Sequence, residues 1–134
     1  MVRKLEVEDI VKILKLDDLD IEEFFPCEKG EFVQWLISQA DNPHIFIWGG
    51  VDDINDLSGL IVVMNGVFKP ISDVVSILYF KPSDDVEVNK ELVYQLNIWA
   101  KEKKASKVIF NCKNIEIFHE YGATQQGILG GWSL

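Results

Sequence analysis

The 134-residue chain is poor in cysteine, in arginine and in unbroken apolar sequence, and each shortage removes a class of function. Its two cysteines, Cys27 and Cys112, stand far apart in no metal-ligand or redox spacing, so neither a disulfide framework nor a thiolate metal site is expected. The two histidines, His44 and His119, add no ligand spacing to either cysteine, and no metal is expected. Arg3 is the sole arginine, and 13 Lys plus Arg stand against 22 Asp plus Glu, a net charge of −9. Nucleic-acid binding needs a surplus of cations to displace counterions, and the balance here has the opposite sign. The same field disfavours a polyphosphate ligand wherever no local basic pocket compensates. The longest apolar run, Leu60–Met64, is far short of the ~20 residues a membrane helix needs. The opening Met1-Val-Arg-Lys-Leu-Glu turns acidic at once and has no apolar leader core. There is no Gly-x-Ser-x-Gly elbow and no phosphate loop ending in Lys-Ser/Thr. The expectation is a soluble, cytoplasmic domain with neither membrane nor nucleic acid as partner.

Hydrophobic residues at 48% and charged residues at 26% are ordinary globular usage. The length suits one domain over residues 1–134. Met1–Leu5 reads as a short strand. Val7, Ile10, Val11 and Leu14 fall at helical spacing, with Glu6, Glu8 and Asp9 in the first turn and Lys12 and Lys15 later. Phe32, Val33, Leu36 and Ile37, with Trp35 beside them, repeat that period until Asn42-Pro43. His44–Trp48 is a β-rich run ending at Gly49-Gly50, and Val51–Ser58 is a polar, acidic loop. Leu60–Met64 is a strand closed by the hairpin signal Asn65-Gly66, and Val74–Phe80 is another, stopped by Lys81-Pro82. For Val67–Ile71 both a paired and a looped course are open.

Val88, Leu92, Leu96 and Trp99 make one apolar helical stripe, with Lys101, Lys103 and Lys104 in the last turns. Val108–Phe110 is a buried-type strand. Ile115, Phe118 and Tyr121 indicate a short helix ended by Gly122, and Thr124–Leu134 supplies one or two strands, with Gly130-Gly131 bending or bulging the last. The four tryptophans read as core residues, since no basic groups interleave with them. The order β-α-α-β-β-β-α-β-α-β gives an α/β (α+β) protein. Its central sheet is mixed, mainly antiparallel and of about six to seven strands, with helices on both faces.

Three stretches carry a family resemblance. Val2–Ile10 is similar to the first strand and helix entry of the GCN5-related N-acetyltransferases (GNAT superfamily). Ser76–Pro82 resembles their fourth strand, with its apolar-x-apolar-x-Pro pattern. Asn111–Gly122 resembles their fifth-strand exit and the helix before a Tyr-x-x-x-Gly-Phe signature. The element order matches over nearly the whole chain, as in a degenerate member. The resemblance implies a splayed sheet with a V-shaped opening between the fourth and fifth strands. Acetyl-CoA would lie there, its pantetheine along the fourth strand near Tyr79 and Phe80. Its pyrophosphate would rest on backbone N–H groups around Val88, Asn89 and Lys90, with Asn111 and Phe118 across the opening. An acceptor amine would attack the thioester while a tyrosine protonates the departing thiolate.

Residue by residue, the chain departs from that pattern. The family's loop, Arg/Gln-x-x-Gly-x-Gly/Ala, uses glycine so that the backbone approaches phosphate and the helix dipole welcomes it. Its three key positions fall here on Asp85, Val88 and Lys90, and Asp84, Asp85 and Glu87 stand where the anion would dock. If Asp84 or Asp85 caps the helix, the N–H groups are already taken. The signature tyrosine falls on Phe118, which has no proton to give, and Ala123 replaces the phenylalanine after Gly122. The remaining weak candidates for acid–base work are His119, Tyr121 and Asp73, set against plain surface, core and turn roles. Asn111 keeps its place, either as a ligand contact or as a partner for backbone at the strand exit.

Two functions are therefore open. One is an atypical or inactive acetyltransferase for an unknown small amine or protein acceptor, with acetyl-CoA implied only by the resemblance. The other is a non-catalytic binding or structural module on the same fold. The interval from Asn111 to Gly122-Ala123 also resembles that of small phage internal-virion proteins, which bears on this second reading. The last strand is placed to exchange with a neighbour, so monomer and homodimer both remain open.

Overall fold

A computed structural model describes residues 1–16, 19, 21, 27–54, 56–66, 74–111, 118, 124–126 and 129–134. Strand β1 (Val2–Lys4) leads into the short helix α1 (Val7–Val11), which tightens into a 3-10 turn over Lys12–Lys15. Helix α2 (Lys29–Gln39) follows, then the meander β2 (Ile45–Val51), β3 (Leu57–Asn65) and β4 (Val74–Lys81). Helix α3 (Val86–Glu102) crosses to β5 (Lys107–Asn111), and β6 (Thr124–Gln126) and β7 (Leu129–Ser133) complete the sheet. The described strands lie in the order β1-β2-β3-β4-β5-β7-β6, and among them only the β4–β5 pair is parallel. That is the mixed, mainly antiparallel sheet expected from the element order, with the crossover helix joining its one parallel pair.

The helices begin where acidic side chains can take orphan amides. Glu6 and Asp9 form a reciprocal capping box on α1, and Glu28 and Glu31 do the same on α2. Asp9 also accepts a 2.6 Å bond from the Arg3 guanidinium, tying α1 to β1. Lys29 reaches from α2 to the carbonyls of Leu14 and Leu16, at 3.1 and 2.7 Å, and so satisfies the end of the 3-10 turn.

Both sheet faces are covered, which is why β2, β3 and β4 read as near-continuous apolar runs. On one face α3 lays Leu92, Val93, Leu96 and Ala100 over Phe46, Ile61, Val63, Val75, Ile77 and Val108. On the other, Ile10, Ile13, Phe32, Val33 and Leu36 cover Ile45, Ile47, Leu60, Val62 and Tyr79. The α3 stripe is rotated from the sequence expectation: Leu92 and Leu96 are buried, while Val88 and Trp99 are half-buried margins.

Several expectations are corrected. Gly49 and Gly50 do not end β2 but lie inside it, and Val51 pairs with Leu57 across a register shift. Asn65-Gly66 does not make a two-residue hairpin. Asn65 faces Val75, and the connection spans residues 66–73, of which Gly66 is described with φ 78°. Gly130 and Gly131 pair in unbroken register with β5 and with β6, so β7 carries no bulge there. The bulge lies in β4 instead: Val62 faces Tyr79 and Val63 faces Ile77, leaving Leu78 as the extra residue. Val67–Ile71 and the short helix proposed around Ile115 and Tyr121 lie outside the described residues.

Candidate functional site

The opening implied by the resemblance begins at the Leu78 bulge. Val74–Ile77 pair with Lys107–Phe110, and there the β4–β5 ladder stops. Beyond it Leu60, Ile61 and Val62 of β3 still hold Lys81, Phe80 and Tyr79, so among the described residues β4 continues with a partner on one side only. The extra residue also shifts the alternation of side chains. Phe80 thereby joins the α3 face, and Tyr79 turns to the opposite face, 1% exposed, with its ring 5.4 Å from Phe32.

On the α3 face the split is bridged by aromatic rings. Phe118 is 0% exposed. Its ring lies 5.2 Å from Phe80 of β4, 4.8 Å from Phe110 of β5 and 5.2 Å from Trp132 of β7. The Trp132 indole N–H donates to Asn97 Oδ1 of α3 at 3.0 Å, fixing the far side of this cluster. Phe118 is thus an apolar ring held among three others. Trp99 lies elsewhere, against Phe46 near β2.

The N-terminus of α3 follows the end of β4 and lies against β2 and β3. Asp85 is its cap: Oδ1 accepts the Glu87 amide at 3.0 Å, and its carbonyl takes the amides of Val88 and Asn89. The Asp85 amide donates to Ser83 Oγ at 3.1 Å. The Ser83 amide donates to Asn89 Oδ1 at 2.8 Å, and Asn89 Nδ2 donates back to the Ser83 carbonyl at 2.9 Å. From Ser83 to Asn89, five of seven amides are thus committed within the protein, leaving those of Asp84 and Val86. Asp84, Asp85 and Glu87 are exposed, and Lys90 approaches Glu87 at 3.6 Å. A bound phosphate would meet these carboxylates as like charges, each close pair costing about 1 kcal/mol even in water.

The other proposed positions are placed as follows. Val88 packs over Gly50 of β2, Asn89 is clasped to Ser83, and Lys90 faces solvent. Asn111 ends β5 opposite Leu129. Asp73, His119, Tyr121, Cys112, Gly122 and Ala123 lie outside the described residues. His44 is exposed and Cys27 half-buried, and no group of three or more His, Cys, Asp or Glu able to hold a metal occurs among the described residues. No described helix is long and apolar enough to cross a membrane. Two shallow hollows of about 350 and 360 Å³ flank the β1–α1 connection, lined by charges of both signs around Arg3, Lys4, Glu6 and Glu8.

Sequence reasoning missed Ser83 and the glycines beneath it. Gly50 and Gly59 let Val88 and Ser83 approach β2 and β3 closely, and glycine inside an apolar β-run is the signal that marks such an approach.

No protein-family model matches the sequence, and no curated protein matches it. Solved structures do resemble it over its whole length. A GNAT-family acetyltransferase from Streptococcus pneumoniae superposes with a TM-score of 0.72 at 11% identity, covering 100% of this chain and 99% of that one. A ribosomal-protein-alanine N-acetyltransferase from Brucella melitensis gives 0.77 at 12% identity, with 100% and 99% covered. An N-acetyltransferase from Staphylococcus aureus Mu50 gives 0.75 at 15% identity, with 100% and 96% covered. With its β4 bulge, its split beside a single parallel pair and its helices on both faces, the chain has the fold of the GNAT acetyltransferases.

Proposed function

We propose that this chain is an acetyltransferase-like protein that does not hold acetyl-CoA by its diphosphate, and that it is inactive as an ordinary N-acetyltransferase. The reading rests on the closed α3 N-terminus, where side chains of Ser83, Asp85 and Asn89 take the backbone donors. Phe118 supports it from the chemical side, because a phenyl ring at the position of the family's tyrosine offers no proton to a leaving thiolate. The aromatic bridge of Phe80, Phe110 and Phe118 across the split favours a non-catalytic binding or structural module over an altered enzyme. Fold alone does not carry activity, so the site decides.

Calorimetry and thermal melting of the full chain with acetyl-CoA at low salt test the reading. The expected result is no heat of binding and no shift of the melting temperature at millimolar ligand. Saturation would overturn it, since a ligand at 100 times its Kd stabilises by about 2.7 kcal/mol.

A further inference from the structure

We infer that Ser83, Asp85 and Asn89 form a built-in substitute for an anionic ligand, and that this occupancy, more than the surrounding charge, excludes nucleotide diphosphates from α3. The inference rests on the reading above and supplies its cause. Each side chain accepts a backbone amide in the turn that opens α3. Asp85 Oδ1 holds the Glu87 amide, Ser83 Oγ holds the Asp85 amide, and Asn89 Oδ1 holds the Ser83 amide. The Asn89 link is reciprocal, so swinging that amide away would strip both a donor and an acceptor from the backbone of Ser83, a residue only 8% exposed.

The sheet holds this arrangement from beneath. A Cβ placed on Gly59 would lie 3.2 Å from both the nitrogen and the Cβ of Ser83, so β3 already touches the loop. Val88 is seated over Gly50 in the same way. The first turn of α3 is thus clamped from the sheet and capped from solvent, and it has little room to rearrange around a ligand. Asp84 and Glu87 differ from Asp85: neither carboxylate bonds a backbone amide, and Glu87 pairs only with Lys90. Occupancy and charge are therefore separable by substitution.

The test compares two double variants of the full chain, titrated at low salt with coenzyme A and with inorganic pyrophosphate. D84N/E87Q removes two charges and leaves the clasp intact. D85G/N89A removes two of the three side chains and frees the amides of Ser83 and Glu87 at the loss of one charge, half the number that D84N/E87Q removes. The expected result is a gain of at least about tenfold in affinity for both probes in D85G/N89A, and none in D84N/E87Q. A gain in D84N/E87Q, or no gain in either, overturns the inference. Tight binding of coenzyme A by the unmodified chain would instead defeat the proposed function itself.

Amide hydrogen exchange on the unmodified chain keeps the inference testable should D85G/N89A not fold. The amides of Ser83, Asp85 and Glu87 should exchange at least about tenfold slower, relative to their intrinsic rates, than those of Asp84 and Val86. Equal exchange at all five would overturn it.

Discussion

Val88 fills the space that a side chain on Gly50 would need: a Cβ built there lies 2.5 Å from Val88 Cγ1 and 2.7 Å from Ser58 Oγ. The glycines that the α3 loop lacks are thus found in the strands beneath it. In the loop they would bring backbone up to a ligand. In the strands they bring the helix down onto the sheet.

Gly50→Ala should therefore destabilise the protein by about 1–3 kcal/mol, the usual cost of an overpacked contact. The urea midpoint should fall with an unchanged m-value. In a Val88→Ala background the same change should cost at least ~0.5 kcal/mol less, because one of the two atoms it strikes is gone and only Ser58 Oγ remains. Equal costs in both backgrounds would place the strain elsewhere.

Asp85→Ala should remove about 1 kcal/mol, the value of an N-cap, and lower the melting temperature by roughly 3–4 °C for a chain of this size. Asp84→Ala, whose carboxylate caps nothing, should stay within about 0.5 kcal/mol of the parent. Differential scanning calorimetry on the two variants distinguishes capping from simple relief of charge.

Phe118→Ala should cost about 3–5 kcal/mol, as expected for deleting a fully buried ring. Phe118→Tyr restores the family's residue, but it brings a hydroxyl among Phe80, Phe110 and Trp132. It should destabilise by about 1–3 kcal/mol and yield no acetyl transfer in a thiol-release assay. Measurable turnover in that variant would overturn the proposed inactivity and point to a missing acid.

Arg3→Met should cost about 1 kcal/mol, since it strips Asp9, only 5% exposed, of its guanidinium partner. The figure is modest because Arg3 itself is 40% exposed and its charge is screened by water. The gap in melting temperature between variant and parent should be narrower at high salt than at low salt.

Much of this architecture was legible in the sequence, because apolar period and turn residues carry it. Leu92 and Leu96 at helical spacing placed α3, and the run Leu60–Met64 marked the centre of β3, whose first residues Leu57 and Ser58 fall in the stretch read as a loop. The single parallel pair followed from a helix between two buried-type strands. The bulge at Leu78 was not legible, since one extra residue in an apolar strand leaves no mark on composition. Its consequence is that Tyr79 and Phe80, adjacent in sequence, serve different cores. The loss of loop glycines and the acid at position 85 were visible, whereas the Asn89–Ser83 clasp was not. A bond between a side chain and a distant backbone group has no period to detect.

The lone parallel pair also bears on how the chain reaches this state. Strands β2, β3 and β4 are consecutive and antiparallel, so each can find its partner by closing a short loop. Val74 and Lys107 meet only after the whole of α3 has been spanned, and Phe118 and Trp132 must then arrive from still further along. Entropy of loop closure favours the meander forming early and the β5-β7-β6 arm docking late. The seam favoured to form last is therefore the one beside the Leu78 bulge, where the parallel ladder ends.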